Sequence, residues 1–281
     1  MAERAFALHT HLVVKKSIAA LLLVACSSST PATNVSTAPS SDAKADSPQP
    51  DASVVEESPC PRGMVLVEGE YCPEPIQICK RWLDPPGPYQ DYRCAEYAQP
   101  VKCKGARVHE SFCIDKEEYV PPGDSSGMPL AHQSWSSAGE VCTSQGRRLC
   151  LESEWQFACE GEEMRPYPYG FKRDATACNI DRMDLGRPNA GLRDLRAPIT
   201  EYPRCTSPFG VHDMSGNIEE WATLDPNGSP KPVMGQRSTM KGAWWLPGKN
   251  TCRARTLGHG EIYAGSQVGV RCCAEPKRVV R

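Results

Sequence analysis

Cysteine is the residue type with the greatest capacity for chemistry in this 281-residue chain, which contains 15 of them. No two cysteines stand in a Cys-x-x-Cys arrangement, which argues against zinc ribbons and thioredoxin-type redox motifs. Cysteine at this density is rare in proteins of a reducing cytoplasm. The count therefore predicts an exported protein that is cross-linked by disulfides.

A second candidate for chemistry is the pair of carboxylates at Asp213 and Glu220, which bracket a glycine turn. The backbone carbonyls of Gly216 and Ile218 lie between them and can point toward the same centre. Calcium takes roughly six to eight oxygen ligands in irregular geometry, so two carboxylates with carbonyls suit it. The segment predicts a calcium site. The alternative is that the carboxylates cap turns or pair with arginines.

The histidines offer a weaker case for metal chemistry. His109, His132, His212 and His259 form no His-Glu-x-x-His motif and show no facial-triad spacing. Convergence of these side chains on an iron ion is a minor alternative, and surface or cavity-lining positions are the usual case.

Aromatic side chains are candidates for a groove that binds a peptide or a glycan, since ligand pockets are commonly lined by aromatic groups. The same side chains could equally belong to the core, which is the interpretation we favour for Trp155 and Trp221. The candidates for the groove are Trp244, Trp245, Tyr167 and Tyr169.

Length and charge limit the class of protein. The chain has 32 basic and 34 acidic residues, for a net charge of −2, and 40% of its residues are hydrophobic. Nucleic-acid binding needs a basic excess on some face, so nucleic acid is not the expected partner. The length and apolar content support one large domain or two small ones with a true core.

The N-terminal region has the pattern of an export signal. Lys15 and Lys16 precede the apolar residues 17–25, which are too few to span a bilayer that needs about twenty. Residues 1–25 therefore predict a signal peptide. The segment that ends at Cys26 (Leu-Val-Ala-Cys) resembles the bacterial lipobox, and this resemblance implies a lipid on Cys26.

The residues that follow favour attachment of a domain to the cell envelope. Residues 26–59 are rich in Ser, Thr, Pro, Ala and Asp, so they cannot bury a core and predict a flexible tether. Ser27 resembles the residue found in signals for the outer membrane, which implies a periplasmic or surface location there. Without Cys26, 14 of the 15 cysteines remain for seven disulfides. The neighbours Cys272 and Cys273 are expected to pair with different partners.

Residues 60–281 form the predicted domain, and residues 60–113 are its cysteine-rich N-terminal part. Residues 63–72 predict a strand that ends in a glycine turn and forms a hairpin. Residues 73–108 predict a loop region held by disulfides, and residues 112–115 predict another strand. These short elements indicate an irregular α+β domain with little regular structure.

Two helices are predicted near the middle of the domain. The first begins near Ser134 or Ser136, either of which can cap it. The second covers residues 151–159, where Trp155, Ala158 and Cys159 share one face and acidic residues occupy the first turn. Beyond Gly161, the chain is expected to be mostly loop through Gly210.

Four segments resemble, in order, the formylglycine-generating enzyme (sulfatase-modifying factor) family. The first is the Met-Val-Leu-Val-Glu-Gly strand at 64–69. The second is Gly-Arg-Arg-Leu-Cys-Leu-Glu-Ser-Glu-Trp-Gln-Phe-Ala at 146–158, with the Tyr-Pro-Tyr-Gly turn at 167–170 after it. The third, Pro-Phe-Gly-Val-His-Asp-Met-Ser-Gly-Asn-Ile-Glu-Glu-Trp, ends at 221, and the fourth runs from Lys-Gly-Ala-Trp-Trp at 241–245 to Gly-Val-Arg-Cys at 269–272. The resemblance implies a C-type-lectin-like α+β fold.

The resemblance also implies metal ligands. It places a structural calcium on Asp213, Gly216, Ile218 and Glu220. A second family calcium site begins at an Asn-Ile pair, which matches Asn179 and Ile180. The later ligand segment of that site has no clear counterpart, and Asp181 or Asp194 are the substitutes that the sequence offers.

Catalysis in this family depends on two cysteines that bind copper(I) and oxidise a cysteine of a sulfatase to formylglycine. They lie between the Gly-Ser-Trp strand and the Arg-Ala-Arg stretch. Here Leu246 and a turn at 247–249 occupy that interval, and Cys252 resembles a third, non-catalytic cysteine. We expect Cys252 to be half of a disulfide, and copper is not an expected cofactor.

Two functions follow from these features. The first is a non-catalytic binding or scaffold module that a lipid anchors to the cell envelope. The second is a divergent formylglycine-generating-type oxidase, or another metal-dependent oxidoreductase, that acts on exported proteins. The missing cysteine pair favours the first.

Overall fold

The computed structural model describes residues 58–184, 192–225 and 235–277, which lie in one compact unit, Val55–Arg281. The predicted signal peptide, Cys26 and nearly all of the predicted tether lie outside these residues. The described residues form helices α1 (Trp135–Thr143) and α2 (Glu152–Glu160) and twelve short strands. The strands are β1 (Met64–Tyr71), β2 (Pro75–Ile76), β3 (Cys79–Trp82), β4 (Cys94–Tyr97), β5 (Lys102–Cys103), β6 (Val108–Asp115), β7 (Arg148–Leu149), β8 (Glu219–Thr223), β9 (Ser238–Lys241), β10 (Arg255–Thr256), β11 (Val268–Gly269) and β12 (Cys272–Ala274).

The strand predicted at 63–72 is confirmed as β1, but its hairpin is not. β1 pairs antiparallel with the distant β6 along its whole length. Gly69 lies inside β1 rather than in a turn, and a Cβ there would approach Glu162 Oε1 within 2.5 Å. Another residue at this position would have to displace the Glu162 side chain and adopt a φ of 150°, which glycine tolerates best. This first sheet has the order β1-β6-β12-β7.

The second sheet carries Glu220, one of the predicted calcium ligands. Its order is β10-β9-β8-β11, with β11 parallel to β8 and the other pairs antiparallel. Glu220 of β8 lies opposite Lys241 of β9, which lies opposite Arg255 of β10. β10 is an edge strand, so its outer side is free of a further strand among the described residues.

The cysteine-rich part contains more regular structure than the loop predicted for 73–108. β2 pairs with β5, and β3 pairs with β4 through an irregular register. The disulfides Cys72–Cys103 and Cys79–Cys94 close these two small sheets. Such short strands carry little periodicity, which explains why the sequence predicted a loop.

Both predicted helices are present. Ser134 caps α1, since its hydroxyl accepts from Ser137 N at 3.1 Å and the Ser137 hydroxyl accepts from Ser134 N. At the start of α2, Glu154 accepts from Leu151 N at 2.7 Å. Every residue of α2 is buried, including Glu152 and Glu160, so this helix carries charge into the interior.

All 14 cysteines of the described residues are paired, as predicted, in seven disulfides. Cys272 and Cys273 have different partners, and Cys252 is bonded to Cys159. Cross-links of this kind stabilise a domain mainly by restricting the unfolded chain. The pairs are Cys60–Cys113, Cys72–Cys103, Cys79–Cys94, Cys142–Cys272, Cys150–Cys273, Cys159–Cys252 and Cys178–Cys205.

Two apolar clusters form the centre of the domain. One packs α2 against the first sheet around Trp155 and Phe157. The other packs α1 against the second sheet around Trp221, so both tryptophans are core residues, as we favoured. Among the residues that the structure describes, no helix is long and apolar enough to cross a membrane.

Candidate functional site

The predicted calcium segment at 213–220 folds as a tight turn that leads into β8. Asp213 and Asn217 adopt left-handed backbone angles, with φ of 57° and 54°. Gly216 also has a positive φ of 81°, and a Cβ there would lie 2.3 Å from the carbonyl oxygen of Asn179. The turn therefore requires glycine, and it packs directly against the second predicted calcium segment.

Glu220 is buried and bound by an arginine. Arg271 Nη2 donates to Glu220 Oε1 at 2.8 Å, and its Nε donates to Oε2 at 2.8 Å. Trp155 Nε1 donates to the same Oε2 at 2.6 Å. Arginine pairing, the alternative interpretation for this carboxylate, is thus what the structure contains.

Asp213 lies beside a carboxylate that the sequence did not single out, Glu118. Burial, together with the charges of Glu117 and Glu220, raises the pKa of Asp213 to about 8. Burial and the charge of Asp213 likewise raise the pKa of Glu118 well above its usual range. Two buried carboxyl groups side by side resist ionisation, so this corner of the domain favours protons or a cation.

The hydrogen bonding of Glu118 also favours a proton or a cation beside this carboxyl group. Asn217 Nδ2 donates to Glu118 Oε2. The other oxygen, Oε1, is buried and has no hydrogen-bond partner in the described chain. A buried acceptor without a partner is costly, and a bound cation would satisfy it.

The second predicted calcium pair has less suitable surroundings. Asn179 Nδ2 donates to Leu195 O and to Asn217 Oδ1, while Arg182 Nη1 approaches Asn179 Oδ1 at 3.4 Å. Ile180 is buried next to the turn. Both substitute carboxylates already have arginine partners, since Asp181 pairs with Arg93 and Arg173, and Asp194 pairs with Arg196. Positive charge at each position disfavours a further cation.

The histidines do not converge. His109 Nδ1 lies 3.2 Å from Glu70, and His212 Nδ1 lies 2.9 Å from Glu117. In the described ranges, only Cys150, Glu154 and Cys273 bring three metal-binding side chains within 4.8 Å of one another. Two of these are the halves of one disulfide, so the group is not a metal site.

The interval where the family has its catalytic cysteines is a structured loop. Asn250 Nδ2 donates to Trp244 O at 2.8 Å, and Asn250 Oδ1 accepts from Arg173 Nη2 at 2.9 Å. The loop is thus fixed at its end, just before the Cys159–Cys252 disulfide. No thiol is available in it.

A cavity of about 310 Å³ opens beside this loop. Trp244 lines it together with Glu219 and Thr256, and Tyr92 and Lys249 stand at its side. Thr256 Oγ1 donates to Glu219 Oε1 at 2.6 Å, and burial raises the pKa of Glu219 to about 7. Glu219 is the one carboxyl group among the described residues that line the cavity, so the lining contains no carboxyl pair.

The predicted aromatic groove is only partly correct. Trp244 is half-buried and lines the cavity. Trp245 and Tyr167 are fully buried, so their place in a groove was wrong and they belong to the interior. Tyr169 is half-buried and stacks on Tyr167 with ring centroids 5.5 Å apart.

Arg255 of β10 lines the cavity of about 310 Å³ and also a larger one of about 570 Å³. Arg253 and Arg255 line it from the Arg-Ala-Arg stretch, and Pro73 and Ile76 line it from the cysteine-rich part. We call it the Arg255 cavity. Arg253 is fully engaged, since it pairs with Glu160 and donates to the backbone oxygens of Cys72 and Pro73.

A comparison with known proteins agrees with this architecture. The model of the sulfatase-modifying factor enzyme 1-like domain matches residues 93–276. The chain belongs to this family. The irregular, disulfide-rich α+β domain described above is accordingly of the formylglycine-generating-enzyme type, with its C-type-lectin-like fold.

Individual members of the family are moderately similar. The inactive C-alpha-formylglycine-generating enzyme 2 of Mus musculus is 30% identical over 176 residues, which cover 56% of this chain and 54% of that protein. The formylglycine-generating enzyme of Bos taurus is 29% identical over 170 residues, 52% of this chain and 44% of that protein. The chain thus spans about half the length of these relatives.

A solved structure was also found. PvdO from Pseudomonas aeruginosa superposes with a TM-score of 0.49 at 15% identity, over 75% of this chain and 94% of that one.

Several buried charged residues of this sulfatase-modifying factor domain were not predicted from the sequence. Glu118, Glu152 and Lys241 are all buried, although charged residues are usually exposed. The Lys241–Glu152 ion pair joins β9 to α2 across 89 positions. Only the number of acidic residues in the short helix at 151–159 hinted that some of them are buried.

Proposed function

We propose that this protein is a non-catalytic binding or scaffold module that a lipid on Cys26 anchors to the bacterial cell envelope. In this proposal residues 1–25 are removed as a signal peptide and residues 26–59 are the tether. The outer membrane, on its periplasmic or outer face, is the proposed location. A peptide or a glycan is the proposed class of ligand, and the two cavities that Arg255 lines supply surfaces for it.

One observation carries the proposal of a non-catalytic role. Every cysteine of the described residues is in a disulfide, including Cys252. Copper(I) chemistry requires free thiolates, and a fixed loop occupies the interval where the family has them. The relative from Mus musculus, and one from Bos taurus, carry the word inactive in their names.

The test is a copper(I) titration of the purified, oxidised full chain, together with an oxidation assay on a sulfatase-type cysteine peptide. We expect no tight stoichiometric copper binding and no conversion of the peptide cysteine to an aldehyde. The same chain treated with reductant is the control, because freed thiols should capture copper and show that the assay detects it. Tight copper binding by the oxidised chain with peptide turnover would establish the divergent oxidase instead.

We also propose that calcium binds at the 213–220 turn. The oxygen ligands suit calcium, because the carboxylates of Asp213 and Glu118 are buried without enough positive charge around them. The carbonyls of Gly216 and Ile218 would complete the site. Glu220 would take part only by sharing its carboxylate with Arg271. Calcium there would be structural, because it would neutralise the buried acids and hold the turn.

Calcium removal offers a direct check. Thermal unfolding should occur at a lower temperature in EDTA than in excess calcium, since a ligand at about 100 times its Kd stabilises by about 2.7 kcal/mol. Asp213→Asn is the matched variant: it should lose the calcium response. In EDTA at about pH 7 it should be about as stable as the parent, because burial raises the pKa of Asp213 to about 8, so the carboxyl group there is largely neutral, like the amide that replaces it. An unchanged melting temperature of the parent in both buffers would rule the site out.

A further inference from the structure

Arg255 differs from the other interior arginines in having unused donors. Its side chain is 22% exposed, and it lies 3.6 Å from Glu152, too far for a hydrogen bond. No nitrogen of its guanidinium donates a hydrogen bond to any residue that the structure describes. Its buried Nη1 faces Glu152 Oε2, which also has no hydrogen-bond partner there. By contrast, Arg253 and Arg271 are saturated with protein partners.

The charge around Arg255 is also unbalanced. Glu152 is its only carboxylate partner, and Glu152 is shared with Lys241, whose Nζ lies 3.3 Å away. Both Glu152 and Lys241 are fully buried. One carboxylate therefore faces two cations, and low-dielectric surroundings make an excess charge costly.

The other charges of the Arg255 cavity are already paired. Lys104 Nζ lies 2.9 Å from Glu74 Oε2, and Arg253 pairs with Glu160. Arg255 is thus the cation in this lining whose charge is not matched by the protein. Arg255 therefore supplies both the unused hydrogen-bond donors and the excess positive charge.

The rest of the cavity wall is mainly apolar. Pro73, Pro75 and Ile76 form one side of the space of about 570 Å³, which falls within the range of small-molecule sites, roughly 300–1,000 Å³. Ile76 is 46% exposed. A ligand that filled this space would contact these carbon surfaces while an anionic group reached Arg255.

We propose that the Arg255 cavity binds a ligand that carries an oxyanion, a carboxylate or a sulfate or phosphate ester, on an apolar body. The guanidinium of Arg255 holds the oxyanion, with charge-assisted hydrogen bonds from donors that have no protein acceptor. The proline-rich wall accommodates the apolar part. This inference rests on the proposed binding function and defines its ligand class.

Isothermal titration calorimetry of the oxidised full chain with phenyl sulfate, phenyl phosphate and benzoate tests the proposal, with phenol as the neutral probe. We expect saturable binding of at least one anion, and little or no binding of phenol. The comparison between esters and carboxylate shows which oxyanion the site takes. Arg255→Gln should weaken binding about 10-fold or more, the usual effect of losing a hydrogen bond to a charged group.

Lys241→Met is the matched control. It removes the other cation of the same carboxylate, but Lys241 is fully buried and does not line the cavity. Each variant leaves one cation for Glu152, so both should fold. Lys241→Met should weaken anion binding less than Arg255→Gln does, because it removes the excess positive charge but keeps the hydrogen-bond donors of Arg255. Circular dichroism and melting curves of both variants confirm that each is folded before titration.

Three results would overturn the inference. They are no saturable anion binding by the parent, equal binding of phenol, or equal losses in Arg255→Gln and Lys241→Met. Copper(I) titration distinguishes this failure from a failure of the proposed binding function. If the chain binds neither the anions nor copper(I), the binding function remains the proposal, but its ligand belongs to another class. Copper-dependent peptide oxidation would overturn the proposed function itself.

Discussion

At the scale of single residues, the fully buried Arg271 connects the sulfatase-modifying factor signature to the rest of the domain. It binds Glu220 through both of that residue's carboxylate oxygens and donates to the backbone oxygens of Asp115 and His212. A buried charge pair adds little net stability over apolar residues, but removal of one partner leaves the other charge uncompensated.

Arg271→Met should therefore reduce the free energy of unfolding by about 3–5 kcal/mol. Urea unfolding in EDTA, where no cation can replace the guanidinium, measures the loss. The double variant Arg271→Met/Glu220→Gln should recover at least about 1 kcal/mol, since the amide oxygen still accepts from Trp155 and no charge is stranded. Equal losses in the single and double variants would show that the charge pair is not the source of the effect.

The adjacent tryptophans show what a residue-level pattern cannot reveal. Trp244 lines a cavity, while Trp245 is fully buried. Both are large aromatic residues in a loop with no periodicity, so nothing in the sequence distinguishes the inward from the outward side chain. Glu118 was missed for a similar reason, because its neighbours Asp213 and Asn217 are about a hundred positions away.

At the scale of elements, the Cys159–Cys252 disulfide joins α2 to the segment that leads into β10. It closes a chain segment with a sequence separation of 93, whereas Cys79–Cys94 closes one of 15. In the chain-entropy model, a longer loop gives a larger stabilisation, about 4.7 kcal/mol near 100 residues and about 3 kcal/mol near 15.

Removal of the first bridge should accordingly cost more than removal of the second. We expect Cys159→Ala/Cys252→Ala to lose about 2–5 kcal/mol of unfolding free energy, and Cys79→Ala/Cys94→Ala to lose less. Urea unfolding of both double variants gives the comparison. A larger loss in Cys79→Ala/Cys94→Ala would mean that the bridge between β3 and β4, rather than the bridge from α2, contributes most to the stability of the domain.

Local elements were predictable where their signals are local. Alternation identified β1, and the serines at 134 and 136 placed the start of α1 to within two residues, with Ser134 being the cap that the structure contains. The partners of these elements were not predictable, because β1 pairs with the distant β6 and β11 joins β8 as a parallel neighbour. Disulfide connectivity was open for the same reason: 14 cysteines allow many pairings until the fold fixes their distances.

At the scale of the whole molecule, the separate roles of Cys26 and of the other 14 cysteines support the proposed function. The proposal assigns Cys26 to the lipid, and the 14 cysteines of the described residues are closed in seven disulfides. A domain cross-linked in this way suits an oxidising compartment outside the cytoplasm. It also keeps thiols away from the loop at 245–252, where the catalytic members of the family need them.

The most direct measurement is a count of reactive thiols in the full chain, unfolded in guanidinium without reductant. If the disulfides are closed, at most one thiol per chain should react, and peptide mapping should place it at Cys26. Reduction before labelling is the control and should bring the count to all 15 cysteines, or to 14 where the lipid occupies Cys26. Two or more reactive thiols before reduction, with Cys252 among them, would contradict a non-catalytic, disulfide-closed module.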